Sequence, residues 1–187
     1  MTDRRVKYTH MVLKQALIKL LADKPINKIT TTEICTLADV NRGTFYTHYT
    51  DQYDLLQQIQ DDFADEVLEL QARRASEQLS TLAMITALAT YFREQLPLCR
   101  VLFTTSGGEE LIAKLMRNAY TEFVAGWPAG TTEPADLELL FTFIAHGSAA
   151  TLRQWVMADA KETPDHVARL ILQTSTHGSA SFRRPAK

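Results

Sequence analysis

Cysteine, glycine, proline and long apolar runs are all scarce in this sequence. Its two cysteines, Cys35 and Cys99, stand in separate apolar stretches with no CxxC or Cys/His spacing, which argues against a disulfide framework or a zinc site and fits a reducing compartment. Only seven glycines and six prolines occur, no useful alternating strand pattern is present, and Leu, Ala, Glu, Gln and Lys are plentiful. An all-α fold of about nine helices is expected. No apolar run approaches the roughly 20 residues that a membrane span needs, and the N-terminus has no apolar signal core. The expectation is a cytoplasmic protein without a membrane partner.

Catalytic motifs are missing as well. There is no HExxH, no nucleophile elbow and no Walker-type loop, and His10, His48, His146, His166 and His177 form no ligand spacing. Gly107-Gly108 follows a helical pattern rather than a strand and lacks a Lys-Ser or Lys-Thr after it, so it reads as a helix stop. No catalytic residue, metal or cofactor is therefore expected. The acidic run Asp61, Asp62, Asp65, Glu66 and Glu69 reads as a solvated helix face, with divalent-metal binding the lesser alternative.

What the chain does have is enough apolar content for a sizeable core, 45% of 187 residues. Its net charge of -2 hides a polarity: residues 1–50 carry +4 and residues 51–187 carry -6. Positive charge neutralises phosphates, so the first fifty residues are the better candidate for a nucleic-acid partner.

That segment is built from capped helices. Leu13, Ala16, Leu17, Leu20 and Leu21 repeat at three and four residues, which marks an amphipathic helix over about 7–23. Thr30 with Glu33 makes a capping box, Asn41 is a good N-cap, and Asp51 with Asp54 places acceptors at a third helix start. Between the caps lies a short helix over 42–49. Phe45 and Tyr49 fall four apart and pack inward, leaving Arg42, Thr44, Thr47 and His48 outside with Tyr46 at the edge. The expected core is Leu17, Leu21, Ile34, Leu37, Val40, Phe45 and Tyr49. Arg42 is the best base-reading candidate, because a guanidinium can grip guanine O6 and N7 with about 1–3 kcal/mol of discrimination. Thr44 suits a thymine methyl or a phosphate.

The stretch ITTTEICTLADVNRGTFYTHYTDQYDLL, and VNRGTFYTHY above all, resembles the helix-turn-helix of the TetR/AcrR family of bacterial transcriptional regulators. The resemblance implies that Thr31, Tyr46 and His48 hold the DNA backbone and that Gly43 lets the helix start approach closely. It also implies a small-molecule effector in the second domain. One departure stands out: family members often carry a lysine at the start of the linking helix, where this chain has Gln52, which can still donate a hydrogen bond.

Beyond Asp51 a helix of about 25 residues leads into further amphipathic helices over 78–95, 98–103 and 109–127. Candidates for an effector pocket are Phe92, Phe103, Met116, Tyr120, Phe123, Phe143, His146 and Trp155, each of which can equally be plain core. The helix over 135–159 is apolar nearly all round and must be covered on two sides, one of them by a second subunit. Leu140, Ile144, Gly147, Leu152, Trp155, Leu170 and Ile171 are the expected contacts of a homodimer. The stretch HGSAATLRQWVMADAKETPDHVARLI is also similar, more loosely, to the C-terminal region of one TetR-like subgroup.

The reading is a helix-turn-helix domain over 1–50, a dimerisation and effector domain over 51–177 and a flexible tail over 178–187. It describes a ligand-responsive repressor that binds double-stranded DNA as a homodimer on a palindromic operator. The alternatives are an activator controlled by a protein partner, a helical protein-interaction adaptor and, least, a helical enzyme.

Overall fold

The computed structural model describes residues 2–77, 80–105 and 132–180 and, between the last two stretches, residues 112, 115, 117, 120 and 123–127. Its elements are α1 (Thr2–Asp23), a one-turn 3-10 helix (Ile26–Lys28), α2 (Thr31–Ala38), α3 (Arg42–Tyr46), α4 (Gln52–Glu77), α5 (Thr81–Glu94), α6 (Leu96–Thr104), α7 (Pro134–Met157) and α8 (Pro164–Ala180). No strand occurs among the described residues. Met116, Gly107-Gly108 and residues 181–187 lie outside them. The last helix extends to Ala180, past the Gly178 at which the sequence pattern fades.

Two compact units emerge, Met1–Asp65 with Pro97–Ser106 and Glu66–Leu96 with Gly107–Lys187, and α4 runs from the first into the second. In the first unit, α2 packs against α1 and α3. Leu13 and Leu17 of α1, Ile34 of α2, Phe45 of α3 and Leu55, Ile59 and Phe63 of α4 are all fully buried there. Each such side chain contributes about 1.5–3 kcal/mol by leaving water. Leu37 departs from the expected core and is 43% exposed, while Leu21 and Val40 are half-buried. The inward direction of α2 bisects Ile34 and Cys35, so at about 100° per residue Leu37 points roughly 110° away from it.

Local chemistry sets the helix ends. Thr30 Oγ1 accepts from Glu33 N–H (3.2 Å) while Glu33 Oε2 accepts from Thr30 N–H (2.9 Å), the reciprocal box expected. Asn41 Oδ1 accepts from Gly43 N–H at 2.7 Å. Asp51 Oδ1 accepts from Tyr53 and Asp54 N–H at 2.8 and 2.9 Å, and Asp54 Oδ2 from Thr50 N–H at 2.8 Å. The turn between α2 and α3 is made by Asp39 in the left-handed region (φ 53°, ψ 45°), which returns Val40 N–H to the Cys35 carbonyl at 3.0 Å.

In the second unit α5 packs against α7 and α8, and α7 against α8. Phe141, Ala145, Leu152, Trp155 and Val156 form the buried side of α7, and Val167, Ala168 and Ile171 that of α8. The two helices are joined by a turn in which Asp159 and Ala160 are both left-handed (φ 69° and 47°). Trp155 Nε1 donates to the Glu162 carbonyl across this turn at 3.2 Å, which fixes the tryptophan inside its own protomer.

Candidate nucleic-acid interface

The residues singled out for DNA converge on the first unit. Arg42, Gly43 and Thr44 form the opening turn of α3, all exposed, on the Asn41 cap. Gly43 donates its amide to Asn41 Oδ1, and a Cβ at this position would meet that oxygen at 3.2 Å, so the cap itself favours glycine. Thr31 opens α2, and its Oγ1 lies 3.2 Å from the Tyr46 phenolic oxygen, a contact in which either hydroxyl can donate. The Arg42 guanidinium carbon sits 5.9 Å from the Tyr46 ring centroid. Hydrogen bonds from Thr31, then Arg42, hold the Tyr46 hydroxyl below its ordinary pKa.

The downstream part of the motif differs from the two-turn helix expected. α3 ends at Tyr46, because the Phe45 carbonyl accepts from both His48 and Tyr49 N–H at 3.0 Å and closes a tight turn. Thr47 stays exposed, but its Oγ1 donates to the Thr44 carbonyl at 2.6 Å, so its hydroxyl serves the helix end. His48 is half-buried, its ring 4.7 Å from that of His10, and His10 Nδ1 is hydrogen-bonded to the Tyr49 hydroxyl. Burial, then the His48 charge, lowers the His10 pKa, against a smaller opposing pull from Asp62. Burial, with Asp62 and Asp54, pushes the Tyr49 phenol up to about 12. His10 is a neighbour of the motif that the motif itself does not contain. Its signal was its spacing, three and seven residues before the fully buried Leu13 and Leu17 on one face of α1.

Gln52 opens α4 half-buried. The amides just behind it are already taken by Asp51, so this helix start offers an incoming phosphate the Gln52 side chain rather than a ring of free N–H groups. Among nearby cations, Lys24 is committed to Glu33 at 2.5 Å, and that contact, ahead of the Thr30 amide, holds the Glu33 carboxyl down to about 2. Lys28 is exposed at the end of the 3-10 turn.

The pocket and dimer candidates need correction. Phe143 is 74% exposed and His146 is exposed with Nδ1 on the Thr142 carbonyl, so neither lines a cavity of this protomer. Phe103 belongs to the first unit, whereas Phe92, Tyr120 and Phe123 belong to the second. Tyr120 and Phe123, both half-buried, meet Phe141 edge-on and tilted with centroids 4.9 and 5.4 Å away. The groove that the second unit presents, about 620 Å³, runs along Ala83, Thr86, Ala87, Thr90 and Tyr91 of α5, with Leu70, Leu82, Glu94 and Asp165 around it. Thr86 Oγ1 is buried there without a hydrogen-bond partner.

Of the dimer candidates, Leu140, Leu152, Trp155 and Ile171 are buried within the protomer and Ile144 is half-buried. Leu170, also among them, is 51% exposed on α8, and the helical period turns a further α7 set outward: Leu139 (69% exposed), Phe143, Ala150 and Met157. Gly147 remains exposed beside them, with nothing within 4 Å of the place a Cβ would take. Among the described residues no helix is long and apolar enough to cross a membrane, and no three His, Cys, Asp or Glu groups gather as metal ligands.

Residues 80–177 match a TetR-type family model described as a transcriptional regulator C-terminal region. A 53-residue stretch, 28% of this chain, is 36% identical to the uncharacterized HTH-type transcriptional regulator YxbF of Bacillus subtilis (strain 168), of whose length it spans 14%. In fold, the chain is similar to a TetR transcriptional regulator from Streptococcus agalactiae 2603V (TM-score 0.67, 21% identity, 93% of this chain and 97% of that one). It is likewise similar to the transcriptional regulator FadR from Bacillus subtilis in complex with stearoyl-CoA (TM-score 0.69, 16% identity, 90% and 98%).

Proposed function

The chain belongs to the TetR family of transcriptional regulators, and on that premise we propose that it is a homodimeric repressor of a palindromic operator, released by a small molecule. Residues 1–50 read DNA in this scheme, residues 51–177 dimerise and sense the effector, and the protein works in the cytoplasm without catalysing a reaction. The observation that carries the reading is Arg42, exposed on the first turn of a capped recognition helix that α2 holds in place. Thr44 reaches the same groove. Thr31 at the start of α2, Tyr46, Thr47 and His48 at and just after the end of α3, and Gln52 at the start of α4 serve as backbone contacts, with Gly43 permitting close approach.

Two heads must sit about 34 Å apart to enter successive major grooves. The apolar stripe of Leu139, Phe143, Ala150 and Met157, with Leu170 and the open surface at Gly147, supplies the pairing face. The groove along α5 supports an effector site, since its volume falls in the range of small-molecule pockets. The Bacillus subtilis protein was crystallised in complex with stearoyl-CoA. Here the described lining offers hydroxyls and carboxylates and no Lys or Arg, which suits an apolar neutral or cationic molecule better than a polyanion. A ligand that binds better to a conformer with the wrong head separation would weaken operator binding.

Selection of bound fragments from genomic DNA tests the proposal. A palindromic site should emerge, bound in a salt-sensitive way, and Arg42→Ala should abolish the preference. A reporter behind that site should fall when the protein is supplied. Protein that enriches no sequence, with Arg42→Ala behaving like the parent, would defeat it.

A further inference from the structure

Tyr46 is held from three directions. Phe45, fully buried beneath it, meets its ring edge-on with centroids 5.5 Å apart and planes at 83°. Across the turn Thr31 Oγ1 touches its hydroxyl at 3.2 Å, from a helix start fixed by the Thr30/Glu33 box. One turn back on α3, Arg42 lies within cation–π range of the ring, at 5.9 Å. Yet the residue is 48% exposed, so its ring is braced at the surface without being core.

We propose that Tyr46 is a positioning residue for sequence readout: Thr31 and Phe45 fix its ring, and the ring holds the Arg42 guanidinium ready for one base edge. The inference rests on the reading of Arg42 as a base contact. Arginine carries a long, rotamer-rich stem, and ordering it on binding opposes the contact. A fork already held beside a ring loses less freedom when it engages guanine O6 and N7, because preorganisation lowers the ordering cost. A phenol that served only as a phosphate anchor would act differently, since backbone contacts fix register and carry no sequence information.

Those roles separate experimentally. Selection with the wild type and Arg42→Ala identifies the base pair in each half-site whose preference depends on Arg42. Tyr46→Leu should then lose about two- to five-fold of the discrimination at that base pair, the scale of an exposed cation–π contact, with smaller losses at other positions. Combined with Arg42→Ala it should discriminate no worse than Arg42→Ala alone, the non-additivity of two residues acting as one unit. Tyr46→Phe, which keeps the ring and loses the hydroxyl's contacts with Thr31 and Arg42, should fall between Tyr46→Leu and the parent. A loss uniform over all sequences that leaves discrimination at the Arg42-dependent base pair unchanged, or additive losses in the double variant, would make Tyr46 a backbone contact and nothing more and overturn the inference. Should Tyr46→Leu not fold by circular dichroism, the same comparison with Tyr46→Phe and Thr31→Val decides the matter on unchanged criteria. A wild type with no sequence preference would remove Arg42 as a base reader and this inference with it, whereas a sharp preference that Arg42 controls and Tyr46 does not would remove this inference alone.

Discussion

The turn between α2 and α3 and the hairpin of α7 and α8 are both two-helix units, yet only the first was specified residue by residue from near neighbours. At the head, Thr30 reaches Glu33, Asn41 reaches Gly43 and Asp51 reaches Asp54, every contact spanning three residues or fewer. At the hairpin the deciding question is which of two apolar faces turns inward. Nothing within a few residues answers it. A stripe narrower than half a helix fixes rotation, whereas one that runs nearly all round leaves rotation to the tertiary partner. The α7 helix chose Phe141, Leu152 and Trp155 for the inside and left Leu139 and Phe143 outside.

The largest expected effect tests that choice directly. Trp155 is 5% exposed and bonded to the Glu162 carbonyl, so Trp155→Ala should cost about 3–5 kcal/mol of folding stability, the usual range for a buried aromatic. Phe143→Ala should change protomer stability by less than about 0.5 kcal/mol, as exposed substitutions do, and should instead shift the mass seen by light scattering from dimer to monomer. Equal destabilisation by the two, or an unchanged dimer in Phe143→Ala, would contradict the assignment of the two faces.

A smaller change probes the head. Thr30→Ala removes the side-chain acceptor of Glu33 N–H and should cost about 1 kcal/mol in urea unfolding, the typical worth of an N-cap. Thr163→Ala makes the matching test at the hairpin, where Thr163 Oγ1 accepts from His166 N–H at 3.3 Å but His166 is no carboxylate to complete a box as Glu33 does, so the cap should be worth less. If both cost the same, the contrast between a head built on local caps and a hairpin built on packing is weakened.

Legibility followed the same division. The capping box, the Asn41 cap, the inward pair Phe45 and Tyr49 and the all-helical architecture were readable because each is set by spacing within one turn. Leu37 was not, since it lies one turn from Ile34 yet on the far side of the line that α2 presents to its neighbours. The early end of α3 was hidden too, because one carbonyl, that of Phe45, closes it, and Thr47, His48 and Tyr49 remain compatible with helix. Periodicity could turn His10 inward with Leu13 and Leu17 but does not name a partner in another helix, so neither its pairing with Tyr49 nor the groove along α5 was visible.

At the turn itself, Asp39 occupies the left-handed region, which costs most side chains about 1–2 kcal/mol and glycine little. Aspartate tolerates it better than most, so Asp39→Gly should raise the unfolding free energy by no more than about 0.5–1 kcal/mol. A loss of stability would show that the Asp39 side chain contributes more than its backbone strain removes.

Acid is the mildest perturbation, and it should reach the head in two steps, one at His10 and one at Glu33. His10 has its folded pKa below the ordinary 6.5, so between the folded value and 6.5 the unfolded chain binds more protons. Stability from keeping His10 neutral is therefore complete above about pH 6.5 and is lost as pH falls through the folded value. Glu33, lowered from 4.5 to about 2 by Lys24 and the Thr30 amide, contributes above pH 4.5 and loses that contribution as pH falls toward 2. Urea midpoints measured from pH 7.5 to 3 should decline in both windows. His10→Gln should flatten the upper one alone and Glu33→Gln the lower one alone. A head whose upper window persists in His10→Gln would owe its acid sensitivity to another group, and the link between α1 and the end of α3 would then be packing without a proton.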